Sequence, residues 1–238
     1  QKMWTTSAHF ADWYWVGART DPDKKKHDGL SLFLIPMDHP GLEVQSLPTI
    51  GKDTTNQVFF NDVFVPDDYL VGERGRGFQY ISEALDLERF TMFTLSPISN
   101  RTDVLVDWVK EAKRDDEPLK DDTNVRRIIA QIVTDTAVAK GLSTRFVCAA
   151  KAADGKPPTI QSSQYKLFTT TLSQRVCKDA LDIMGHEGTI MEGQEEAPLL
   201  GRYEGAYRAT MNETVGGGSS EIQKNIIARR HLGLPKNF

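Results

Sequence analysis

Leu70-Val71-Gly72-Glu73-Arg74-Gly75-Arg76-Gly77-Phe78 divides the chain into two kinds of sequence. Its glycines, spaced by charged side chains, make a joint that neither a strand nor a helix tolerates in its interior. Upstream, short apolar or alternating runs rich in aromatic and β-branched residues are broken by Gly, Pro and Asp. That pattern predicts strands at 2–7, 12–19, 30–36, 42–46 and 57–65. The connection 21–29 carries three consecutive lysines that face water. Strands this short and this closely spaced predict an all-β sandwich or open barrel over residues 1–72.

Downstream the apolar period becomes helical. Phe78, Ile81, Leu85, Phe90 and Phe93 predict a helix from 78 to about 95. The charged, Pro-containing stretch 113–122 then separates two helices. Val125, Ile128, Ile129, Ile132 and Val133 mark a long helix over 124–153, stopped by Asp154-Gly155-Lys156-Pro157-Pro158. Further helices are predicted at 160–184, ended by Gly185, and at 198–212. The last starts after Gly216-Gly217-Gly218, with Ser219 and Ser220 as caps, and ends in Arg229-Arg230-His231. Residues 73–238 therefore predict a bundle of long antiparallel helices, and the whole chain an α+β fold.

Composition narrows the function. The 29 basic and 33 acidic residues are scattered and leave a net charge of −4, so nucleic acid meets no basic footprint. No run approaches the roughly 18–20 apolar residues of a membrane span, and the charged start offers no signal peptide, so a cytoplasmic location is expected. Cys148 and Cys177 lie far apart in helical patterns and read as small buried hydrophobes. His9, His27, His39, His186 and His231 have no second ligand at metal-binding spacing, so no metal is expected.

Four local sequences carry more. They are Gln1-Lys2-Met3-Trp4-Thr5-Thr6-Ser7, followed by Ala11-Asp12 and Ala18-Arg19-Thr20-Asp21; Phe60-Asn61-Asp62-Val63-Phe64-Val65-Pro66, leading to Gly77-Phe78; Ala84-Leu85-Asp86-Leu87-Glu88-Arg89; and Val215-Gly216-Gly217-Gly218-Ser219-Ser220-Glu221-Ile222-Gln223. In this order they resemble the middle and C-terminal domains of the acyl-CoA dehydrogenase family, FAD enzymes that desaturate an acyl-CoA thioester between its α and β carbons. The chain opens straight into the first motif, so a helical N-terminal domain and its flavin-binding loop are expected to lie outside it.

The resemblance implies the roles. Trp4 would lie against the flavin ring and Thr6 would donate near its reactive nitrogen, while Ser219 and Glu221 would approach the adenosine part of FAD. The reaction needs one sheltered carboxylate to take the α proton. Most members carry it in the C-terminal motif, where this chain has Gly217; a minority carry it in a Leu-x-x-Glu-Arg motif, where this chain has Glu88. Glu88 is thus the expected base, Arg89 and Gly218 the residues nearest the thioester, and Asp86 a contact for the CoA arm. Glu204, in the superficially similar Tyr203-Glu204-Gly205, lies too early and is read as a helix-surface carboxylate.

Two departures are informative. The usual Arg-x-x-Phe-Gly is absent from 109–115, and Asp182-Ile183-Met184-Gly185-His186-Glu187-Gly188 carries Asp for Gln and His for the second Gly. An acid there would repel a pyrophosphate. Such losses resemble actinobacterial dehydrogenases of steroid side chains, in which two unlike chains share each FAD site. A homo- or heterotetramer, acyl-CoA as substrate and an electron-transfer flavoprotein as acceptor follow as expectations, with a steroid-side-chain or branched acyl group. An acyl-CoA oxidase, a catalytically silent partner subunit and a DNA-binding relative remain the alternatives.

Overall fold

The computed structural model describes residues 1–51, 54–91, 94–153 and 158–235, with the side chains of Leu87, Arg89, Phe90 and Thr91 excepted. The stop expected at 154–157, Phe93, and the side chains of Phe90 and Arg89 therefore lie outside the described residues. The chain divides into two compact units, Gln1–Leu85 and Asp86–Phe238. It is an α+β fold, with a β-sheet part followed by a bundle of long helices.

In the first unit β1 (Trp13–Arg19), β2 (Leu30–Pro36) and β5 (Leu70–Val71) form an antiparallel sheet in the order β1-β2-β5, while β3 (Leu42–Pro48) pairs with β4 (Thr54–Phe60). Alternation along β1 sends Tyr14 and Val16 inward, leaving Trp13 and Trp15 exposed. Tyr14 and Val16 meet Ile35 of β2 and Val58 of β4 in one core, so both sheets close over the same apolar interior. β1 stays flat at Gly17, where an added Cβ would come within 2.9 Å of Ile81.

Two predicted strands change. Residues 2–7 are not a strand, because only Lys2 bridges Val58 and the chain leaves the ladder at Trp4, whose φ is +62°. Thr5 N–H returns to Asn56 O at 3.0 Å, and the chain then turns at Ser7, φ +69°. The strand expected at 57–65 is β4, which begins three residues earlier and ends five earlier, because Asp62 at φ +48° ends the pairing with β3 before Val63.

α1 (Gly77–Thr91) follows the joint, and α2 (Leu95–Glu111) begins as a separate helix, with Thr94 in extended conformation at its N-cap. The single helix expected to about residue 95 is thus shorter. The stretch 113–122 holds a two-residue hairpin, β6 (Lys113–Arg114) with β7 (Glu117–Pro118), and it buries Leu119 against the helices. α3 (Thr123–Ala152) is capped by the Asp122 carboxylate, which accepts from Asn124 N–H at 2.7 Å and Val125 N–H at 3.2 Å. α4 (Thr159–Met184) is the central helix, touching α2, α3, α5 (Arg202–Glu213) and α6 (Ser220–Ile226).

The helix expected at 198–212 starts late. Pro198–Gly201 is a 3₁₀ turn in which Leu199 and Leu200 adopt left-handed φ of 53° and 55°, and α5 follows it. α6 runs into a π-helical turn, Ile227–His231. The helical core gathers Leu105, Ile132, Leu172, Val176, Cys177 and Tyr203. Among the described residues no helix is long and apolar enough to cross a membrane.

The cysteines differ from each other. Cys177 is fully buried, but Cys148 is exposed on α3, against the expectation for both. Burial pushes the Cys177 thiol up from 9.0 to about 11. Below pH 9 the thiol is protonated in both folded and unfolded chains; between 9 and 11 it ionises only when unfolded, which favours unfolding. Stability is therefore expected to fall across this window by up to about 3 kcal/mol from this group. Urea titrations at pH 8 to 11 check it, with a shallower fall in Cys177→Ala as the expected result.

Candidate functional site

The second unit builds its most polar interior on the N-terminal half of α4. Ser162, Ser163, Lys166, Thr169, Thr170 and Ser173 recur at helical spacing and are all buried, an unusual stripe for a helix whose C-terminal half packs against apolar side chains. Two neighbours occupy it. Thr159 Oγ1 donates to the Asp86 carboxylate at 2.6 Å, and Ser162 Oγ to the Asp86 carbonyl at 2.9 Å. One turn further, Lys166 Nζ donates to the Gly218 carbonyl at 2.8 Å. A single helix thus holds both Asp86 of α1 and the glycine-rich turn.

Glu88 is partly buried. Two helix positions turn the side chain by roughly 200°, so Glu88 leaves α1 on the side away from Asp86. It shares its stripe with Ile81 and Leu85, at i−7 and i−3.

The glycine turn needs its glycines. Gly217 and Gly218 have φ of 63° and 94°, and Gln223 Nε2 reaches both carbonyls, at 3.3 and 2.9 Å. Ser219 caps α6, accepting from Ile222 N–H at 3.4 Å. Hydrogen bonds from its own backbone N–H and from Ser219 hold the exposed Glu221 carboxyl below the usual carboxylate range. The start of α6 therefore carries a negative charge. It suits the donor-bearing polar edge of a nucleotide better than a phosphate.

In the first unit Trp4 and Phe10 are 70% and 71% exposed. Thr5, not Thr6, is tied into the sheet unit, sharing a 2.9 Å hydrogen bond with the Tyr14 hydroxyl, while Thr6 is exposed. Beside this segment a 520 Å³ hollow is lined by His9, Asp12, Trp13, Met37 and Asp38.

The remaining candidates resolve as scaffold. Glu204 receives Arg208 through Nε at 2.6 Å and Nη2 at 3.0 Å, and accepts from Glu192 N–H at 3.1 Å. Its side chain is 17% exposed, so it braces α5 more deeply than a surface carboxylate would. Asp182 pairs with Lys178 at 2.6 Å on the solvent side of α4, which offsets the repulsion expected of it. Among the described residues no group of three His, Cys, Asp or Glu could hold a metal.

The comparisons with known proteins give the family. The model of the acyl-CoA dehydrogenase C-terminal domain matches residues 75–232, and that of the middle domain residues 1–63. The chain belongs to the acyl-CoA dehydrogenase family. It is 29% identical to Acyl-CoA dehydrogenase FadE26 of Mycobacterium tuberculosis (strain ATCC 25618 / H37Rv), over 99% of this chain and 60% of that protein. It is 32% identical to Acyl-CoA dehydrogenase IpdE1 of Mycolicibacterium smegmatis (strain ATCC 700084 / mc(2)155), over 99% of this chain and 57% of that one. Against the crystal structure of the ChsE4-ChsE5 complex from Mycobacterium tuberculosis the TM-score is 0.88, at 29% identity, covering 99% of this chain and 60% of the other. The chain spans about three fifths of the length of the curated relatives it matches.

Acyl-CoA dehydrogenases are flavoproteins, and the residues present fit that group. An exposed Trp4 suits a planar aromatic ring. Buried Ser163 Oγ and Gln223 Oε1, on the two elements that hold the glycine turn, have no hydrogen-bond partner among the described residues, the kind of vacancy a polar ligand edge or bound water fills.

The buried stripe of α4 was missed in the sequence. Its signal was available, as Ser, Ser, Lys, Thr, Thr and Ser at 162, 163, 166, 169, 170 and 173 trace one helical face. Lys166→Met keeps the stem but removes the bond to Gly218, so it is expected to destabilise the protein by about 1–3 kcal/mol. Urea unfolding checks the magnitude, and faster proteinase K cleavage at 216–218 checks that the turn is what loosens.

Proposed function

We propose that this chain forms the middle and C-terminal parts of an FAD-dependent acyl-CoA dehydrogenase in which Glu88 is the base. The observation carrying this reading is the pairing of a carboxylate with its alternative. α4 anchors the helix bearing Glu88 and also the glycine turn, where position 217 holds a left-handed glycine in place of a carboxylate.

In this reading Trp4 provides an apolar wall and Thr6 a free hydroxyl beside the flavin, while Ser219 and Glu221 meet the donor-rich adenosine end. When bound, FAD supplies an acceptor for the β hydride of the substrate. Glu88 takes the α proton onto its carboxylate, and the electron pair of the broken C–H bond forms the new double bond. Gly218, held through its carbonyl by Lys166 and Gln223, keeps the turn fixed where the thioester would lie, and Arg89 stands next to the base in sequence. The acyl group is a branched or steroid-side-chain one. An electron-transfer flavoprotein is the proposed acceptor, and the proposed assembly a tetramer, with an unlike partner chain as in the ChsE4-ChsE5 complex.

The test is Glu88→Gln in the complete enzyme with its partner chain. Flavin bleaching by acyl-CoA is expected to slow by about 10²- to 10⁴-fold, the usual contribution of a general base, with FAD content unchanged. Full activity of this variant would instead mark the chain as a silent partner subunit. Peroxide formation in air without an added acceptor would mark an oxidase.

A further inference from the structure

Three segments of the second unit enclose a cavity of 100 Å³: Thr94 with the start of α2, Thr169, Thr170 and Ser173 on α4, and Glu213 at the end of α5. At about 30 Å³ per water this is room for roughly three waters or a small polar group. Pro97 and Ile98 supply its apolar wall.

The walls offer both acceptors and hydroxyl donors. Thr169 spends its hydroxyl proton on the Tyr165 carbonyl at 2.8 Å, and Thr170 on the Lys166 carbonyl at 2.9 Å. Each therefore turns only oxygen lone pairs toward other groups. Glu213 adds a carboxylate that is 26% exposed. Arg101, 15% exposed, donates to Ser173 Oγ at 2.7 Å and stands 3.8 Å from the Glu213 carboxylate. Its charge balances that of Glu213, and Ser173, accepting from Arg101, keeps its hydroxyl proton to donate, so the cavity suits a neutral group that both donates and accepts over a cation. An alcohol is the simplest group of that kind.

The location gives this chemistry a purpose. Thr170 stands one turn beyond Lys166 on α4, so the cavity adjoins the support of the glycine turn, which the proposed reading sets at the thioester. We propose that the cavity between α2, α4 and α5 is a subsite for a hydroxyl group on the acyl part of the substrate, and that Thr170 and Glu213 determine this preference. The inference rests on the acyl-CoA reading.

The test compares 4-hydroxycyclohexanecarbonyl-CoA with cyclohexanecarbonyl-CoA on the purified holoenzyme, using binding calorimetry and kcat/KM. One good hydrogen bond predicts about tenfold tighter binding of the hydroxylated thioester. Thr170→Val keeps the side-chain shape and Glu213→Gln keeps its length. Each is expected to erase the preference while leaving the unsubstituted thioester within about twofold, with thermal melting confirming the fold. Ile98→Phe, which fills the cavity from its apolar side, is expected to do the same. Equal binding of the two thioesters by the unaltered enzyme, or a preference that survives all three substitutions, would overturn the subsite and leave the acyl-CoA reading intact. Failure to bind either thioester or any other acyl-CoA would overturn both.

Discussion

A buried lysine amino group held against a backbone carbonyl, Lys166 Nζ to Gly218 O, is the contact on which the candidate site depends. A lysine with no solvent exposure loses its hydration, and its bonds to the protein must compensate. The glycine turn cannot move without breaking one of them. The same helix fixes Asp86 through Thr159 and Ser162, so displacement of either neighbour is resisted by α4, whose C-terminal half is embedded in the apolar core through Leu172, Val176 and Cys177. The polar stripe and the apolar faces therefore work together: the core sets where α4 lies, and the stripe transfers that rigidity to two segments that have little core of their own.

Electrostatics then sorts what the turn can receive. A short helix start with an ionised Glu221 repels a phosphate, while the carboxylate and the backbone of the turn attract donors. Asp182, read from sequence as a second source of repulsion, has its charge offset by Lys178 one turn away. The negative charge is thus local to α6, and in the proposed reading it meets the hydroxyl- and amine-bearing end of the nucleotide. Trp4 meets a different need. Its left-handed backbone lifts the indole out of the β-ladder, leaving an aromatic surface that a planar ring can cover.

Most of the fold was legible because burial imposes period. β2 falls on the predicted 30–36, and α3 and α4 begin within a residue of their expected starts, since long amphipathic runs with clear stops leave few alternatives. What failed was governed by single backbone dihedrals. Trp4, Leu199 and Leu200 take positive φ although their residue types disfavour it, so nothing in them announced the broken strand or the late start of α5, whereas Asp62 belongs to a type that tolerates the left-handed region and its early strand end was the most legible of the three. Cys148 was misread for another reason: it lies within the helical pattern of α3 but on its solvent side, where residue type alone predicts burial wrongly. At the site, motif residues were visible one by one, whereas their common support on α4 was not, because serine, threonine and lysine on a helix usually signal a wet face.

The glycine at 217 bears on where a base can stand. A side chain at φ +63° pays roughly 1–2 kcal/mol of backbone strain, which a site can tolerate only if the residue is needed there. Position 88 lies in a regular helix, where a glutamate has no such cost and where α4 braces the neighbouring turn. Carrying the carboxylate on the helix leaves the turn free to adopt the tight conformation that Lys166 and Gln223 clamp from below. In the proposed reading the two requirements of the reaction, a fixed base and a close-fitting backbone at the thioester, are met by separate segments, and neither has to compromise for the other.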